Sequence, residues 1–102
     1  MLIYVSHRFG GKPSNIEKAK KITHDLQIKD LSNCYICPLT AFSHLGIGEV
    51  EPKHKMAVQL DLLSVCDVLL VASRMSEEVK QELEFARLVG MEVRYLDDEE
   101  KH

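Results

Sequence analysis

Apolar and polar positions along the chain change period repeatedly, and each change marks an element. Residues 2–6, Leu2-Ile3-Tyr4-Val5-Ser6, form an apolar run too short for a helix and read as a buried strand. His7-Arg8-Phe9-Gly10-Gly11-Lys12-Pro13 breaks that run with two glycines and a proline. Ser14 and Glu17 stand at capping-box spacing, and Ile16, Ala19, Ile22 (or Thr23) and Leu26 follow at helical intervals. The spacing predicts a first helix from about residue 14 to 28. Cys34-Tyr35-Ile36-Cys37 reads as a second strand, stopped by Pro38. Residues 38–53 hold Pro38, Gly46, Gly48 and Pro52 with no sustained period, which predicts a long loop of the kind that carries function. Residues 55–66 form a second helix interrupted only by Gln59, Asp61 and Ser64. A helix apolar nearly all round is buried on two sides, and in so short a chain the second side is expected to be another copy, as a homodimer or larger homo-oligomer. Val68-Leu69-Leu70-Val71-Ala72 is apolar on both faces, as a central parallel strand is. Ser76 caps a third helix that stops at Gly90, residues 91–96 alternate as an edge strand, and residues 97–102 read as a solvated charged tail.

Strands that alternate with helices in this order predict an α/β fold: a flavodoxin-like or Rossmann-like three-layer sandwich with a mainly parallel sheet of about four strands. Residues 1–102 make one domain, with strand order 2-1-3-4 expected. In such sheets ligands sit beyond the carboxyl ends of the strands at the switch point. Segments 6–11, 38–48 and 73–76 are therefore expected to converge on one crevice.

Composition narrows the classes. The 102 residues are 45% hydrophobic and 28% charged, with a net charge of −3. No basic excess exists to neutralise a phosphate backbone, which argues against polymeric nucleic acid as a partner. No apolar run approaches the roughly 20 residues of a membrane span. The first residues lack the basic flank of a signal peptide, so a soluble cytoplasmic protein with no membrane partner is expected. Three cysteines, an odd number, argue against a disulfide framework. Cys34 and Cys37 have CxxC spacing, but no second ligand pair follows, and in an extended run both act as small hydrophobes. No metal site is expected.

Glu82 stands out. On a helical wheel of residues 76–90, Val79, Leu83, Phe85, Ala86 and Val89 form one apolar arc, and Glu82 falls inside it. A carboxylate there is paired, protonated or in contact with a ligand. The competing reading is a slightly rotated helix with Glu82 on the boundary, bridged to a lysine. Asp61 is a similar intruder on the second helix, and Asp67 precedes the central strand, where a local turn or cap is the simpler role. The glycines and Arg8 of the first turn suit close approach of a phosphate, although any tight strand-to-helix turn uses glycine.

Tyr4-Val5-Ser6-His7-Arg8-Phe9-Gly10-Gly11, Asn15, the run Asp61-Leu62-Leu63-Ser64-Val65-Cys66-Asp67, and Ser76 and Glu82 with Ala86 and Gly90 together resemble a family of small domains of unknown function, DUF4406. That family occurs in bacteria and their phages and is related to the nucleoside 2-deoxyribosyltransferases. The resemblance runs from Tyr4 to about Leu96 and rests on the order and spacing of short motifs. It implies a [D/S]xGxxxE pattern opening the third helix, whose glutamate attacks the anomeric carbon of a nucleoside or nucleotide. That glutamate falls on Glu82, and the phosphate-binding serine of the nucleotide-specific members falls on Ser76. The resemblance places the accompanying aspartates on Asp61 and Asp67, as orienting or acid partners. It also implies that Ser6, His7, Arg8, Gly10 and Gly11 hold the sugar or phosphate and that segment 38–48 covers the base. Such chemistry requires no metal or organic cofactor. One position departs from the pattern: Glu78 stands where the family has glycine, adding bulk and negative charge beside the implied phosphate site. The alternative reading is a non-catalytic nucleotide-binding or adaptor protein on the same fold.

Overall fold

The computed structural model describes residues 1–96, so the charged tail expected at 97–102 lies outside the described residues. The elements, in chain order, are β1 (Leu2–Ser6), α1 (Pro13–Lys29), β2 (Cys34–Ile36), α2 (Pro38–Ala41), α3 (Pro52–Ser64), β3 (Val68–Val71), α4 (Glu77–Leu88) and β4 (Glu92–Tyr95). All four strands pair in parallel in the order β2-β1-β3-β4. The register sets Tyr4 beside Ile36 and Leu69, and Ser6 beside Val71. The chain therefore steps from β1 to one neighbour and later returns to the other side of β1, which opens a crevice at the carboxyl ends of β1 and β3.

Alternation along β1 splits the core into two layers. Ile3 and Val5 pack with Ala19 of α1, Leu39 of α2, and Val68 and Leu70 of β3. Tyr4 faces the other way, with Leu69 and Val71, onto Leu63 of α3 and Val79, Leu83 and Ala86 of α4. The sheet is thus covered on both faces, and no described helix is long and apolar enough to cross a membrane.

Several boundaries differ from expectation for identifiable reasons. α1 starts at Pro13, with Lys12 as its N-cap and no side-chain cap, so Ser14 and Glu17 form no capping box. Proline's fixed φ already organises the first turn. The entry is held instead by Asn15, buried, whose side-chain amide donates to the Phe9 carbonyl at 2.8 Å. The segment expected to be loop contains α2, started by Pro38 after Cys37 leaves the strand, and α3 starts three residues early, again on a proline. α3 is also turned differently from its sequence reading. Its buried residues are Met56, Gln59 and Leu63, while Val58 and Val65 are exposed. α4 closes as expected: Gly90 adopts φ 75° and the Met91 N–H returns to the Ala86 carbonyl at 2.8 Å.

Candidate functional site

Two turns meet above the carboxyl ends of β1 and β3. The β1–α1 turn is tied to the β3–α4 turn by the Arg8 N–H, which donates to the Ser73 hydroxyl at 2.9 Å. Gly10 and Gly11 carry φ of 59° and 71°, a left-handed pair that bends the chain back toward α1. Beside this turn lies a cavity of about 430 Å³. Its walls come from His7, Phe9 and Gly11 of the turn, Leu39 of α2, residues 47–51, Pro52, Lys55, Met56 and Gln59 of α3, and Glu78 and Glu82 of α4.

Glu82 is 2% exposed. Its partners come from β1, where residues two apart share a face. The Ser6 hydroxyl donates to Glu82 Oε1 at 2.6 Å, and the Tyr4 hydroxyl donates to Oε2. Among the described residues no lysine bridges it, and its burial favours the reading of a buried carboxyl over that of a boundary position. Burial raises its pKa to about 7, against the two hydroxyls, which favour the charged form; the charge of Glu78 adds to the rise. Burial and the neighbouring carboxylate push the Tyr4 hydroxyl far above the ordinary tyrosine range, so it remains a donor.

Glu78 is half-buried at the cavity wall. Burial opposes its charge, but hydrogen bonds from its own N–H, the Ser76 hydroxyl and the Gly10 N–H, with the charge of Lys55, hold it below the usual carboxylate range. The Gly10 N–H lies 3.3 Å from its Oε1. Lys55 Nζ sits 4.6 Å from the centre of the Phe9 ring. His7 is buried with its pKa lowered by that burial. Its Nδ1 lies 2.7 Å from the Arg8 carbonyl, an acceptor, which assigns the proton to Nδ1 and leaves Nε2 an acceptor.

Of the residues singled out in the sequence, His7, Gly11 and Glu82 line the cavity, Ser6 lies behind it bonded to Glu82, and Gly10 borders it through Glu78. Arg8 contributes a backbone bond to Ser73. Ser76 acts as the N-cap of α4, accepting from the Val79 N–H at 3.3 Å. Asp61 and Asp67 are not in the cavity wall. Asp61 faces out from α3, because Gln59 takes the inward position. Asp67 precedes β3, at the opposite end of the sheet, where its Oδ2 accepts from the Leu2 N–H at 2.7 Å. Of the acid partners expected at these positions, Asp67 fastens the start of β1 and Asp61 lies at the surface, both away from the cavity wall. Sequence reasoning missed Tyr4 as a partner of Glu82, although its place two residues before Ser6 carries the signal, and missed Gln59, a polar residue on an otherwise apolar helix face.

The thiols of Cys37 and Cys66 are pushed up by burial, Cys66 to about 11, and all three cysteines are free. Among the described residues, no three His, Cys, Asp or Glu side chains are grouped to hold a metal ion. Comparison of the chain with protein-family models, with curated proteins and with solved structures gave no match.

Proposed function

We propose that the protein cleaves or exchanges the N-glycosidic bond of a nucleoside or nucleotide, with Glu82 as the nucleophile. The observation that carries this reading is a buried carboxyl at a ligand-sized cavity, aimed by two hydroxyls from one strand. Its oxygen attacks C1′ of the sugar. The C1′–N bond breaks, its electron pair leaves on the base nitrogen, and that nitrogen takes a proton from water at the cavity mouth. Water or a second base then attacks C1′, giving its proton to the hydroxide left by the first step, and releases Glu82 as carboxylate. The Tyr4 and Ser6 hydroxyls hold the carboxylate in one orientation in the ground state. Leu39, Ile47 and Phe9 supply an apolar wall suited to a base. The resemblance to the deoxyribosyltransferase-related small domains agrees with this assignment of Glu82, and no cofactor enters the scheme.

Chromatography tests the proposal. Purified protein is incubated with a panel of nucleosides, deoxynucleosides and their 5′-monophosphates, with and without a second free base. Base release or exchange that a Glu82→Ala variant lacks is the expected result. Silence from folded protein across the whole panel moves the assignment to the second reading, a nucleotide-binding module without turnover, for which Glu78 at the cavity wall is the favouring observation.

We further propose that the protein acts as a homodimer through α3. Its outward side carries Ala57 and Val58, with Val65 just beyond its end, all exposed, and Asp61 exposed between them.

A further inference from the structure

Resting on the glycosidic reading, we propose that Glu78 makes the site specific for nucleosides with a free 5′-hydroxyl and excludes their 5′-phosphates. A donor that the glycine turn would offer an anion is already engaged by Glu78. The Gly10 N–H donates to Glu78 Oε1 at 3.3 Å, and the Ser76 hydroxyl oxygen already accepts from the Val79 N–H at 3.3 Å. Glu78 thus occupies, from within the chain, the place in which a phosphate would receive the Gly10 N–H. A phosphate would have to displace a carboxylate that its surroundings hold ionised, and would meet its charge at close range.

The rest of the cavity points the same way. Among the described residues, Glu49, Glu51, Glu78 and Glu82 line it against a single lysine, Lys55. That lysine lies over the Phe9 ring, and Arg8 is not in the wall. A cleft with this balance of charge repels an anion and accepts a neutral ligand. A sugar 5′-hydroxyl suits it better: it donates one hydrogen bond to the Glu78 carboxylate, which has acceptor capacity beyond its present partners. Specificity then comes from a repulsive group as much as from an attractive one.

The experiment compares a nucleoside with its own 5′-monophosphate, in the wild-type protein and in Glu78→Gln and Glu78→Gly. Glutamine keeps an acceptor for the Gly10 N–H while removing the charge; glycine removes the side chain. Base release gives kcat/KM for each pair, and calorimetric binding is measured in parallel on a Glu82→Ala background. Expected is a wild-type preference for the nucleoside of at least about tenfold, with the ratio falling about tenfold or more in both variants. Equal use of the monophosphate by the wild type overturns the inference, and needs no variant to fold. A ratio unchanged in folded Glu78→Gln overturns it as well. If no base is released but the nucleoside binds and the monophosphate does not, the catalytic reading fails while the assignment of Glu78 stands. If neither binds, both fail.

Discussion

Glu82 is kept in the core at a cost, and that cost is measurable. Its pKa is raised by burial from 4.5 to about 7. Between those values the folded chain holds a proton that the unfolded chain has released, so this residue's contribution to stability falls as pH rises from about 4.5 to about 7. The loss is on the order of 3 kcal/mol when complete. Glu82→Gln, which fills the same space without charge, is therefore expected to melt above the wild type at pH 8 and level with it near pH 5. A wild type that melts higher at pH 8 contradicts this. Catalysis runs in the opposite direction. The nucleophile works only when ionised, so activity is expected to climb with pH through about 7 and then level. Tyr4→Phe removes a donor that favours the ionised form. The ascending limb should move to higher pH, with kcat/KM at pH 7 down about tenfold or more. A pH–rate profile identical to that of the wild type would show that the hydroxyl does not tune the carboxyl.

At the level of elements, β1 and α4 build the site and the other segments enclose it. β1 was legible as a strand because five residues of apolar character leave room for nothing else. Its period of two put Tyr4 and Ser6 on one face, and the wheel of α4 put Glu82 inside the apolar arc. α3 was not legible in the same way. A helix apolar nearly all round gives no phase, so its sequence does not say whether Gln59 or Asp61 faces inward; packing against the sheet and α4 decides for Gln59. The early starts of α1 and α3 have one cause, a proline at the first helical turn that competes with side-chain caps. The stop of α4 was legible because Gly90 is the residue that φ 75° favours. A side chain at Gly90 would meet open space, so Gly90→Ala carries only the backbone cost. It is expected to lower stability by about 1 kcal/mol in urea unfolding, with activity unchanged. A neutral result would remove the helix stop from the account.

For the whole molecule, topology did most of the predicting. Alternating elements and right-handed crossovers leave few arrangements, and the order β2-β1-β3-β4 follows from them. The same rule located the crevice beyond the carboxyl ends of β1 and β3. It also explains why Asp67 lies away from the cavity: it immediately precedes β3, about 13 Å of strand from the end at which the cavity opens. Spacing in a motif fixes positions along the chain, whereas the end of the sheet fixes which of them meet. The assembly proposed through α3 is a prediction at this scale. Sedimentation is expected to give a dimer at micromolar concentration, and Val65→Asp is expected to shift it to monomer. A wild-type monomer would remove the α3 interface.

The most direct test of the central claim is to look for the bond that Glu82 is proposed to form. Wild-type protein turning over a responsive deoxynucleoside is quenched rapidly in acid, weighed intact and mapped by peptide mass spectrometry. The expected result is a sugar adduct on the peptide carrying Glu82, absent from Glu82→Gln, which also releases no base. Base release that persists in Glu82→Gln, or an adduct on another residue, would contradict it.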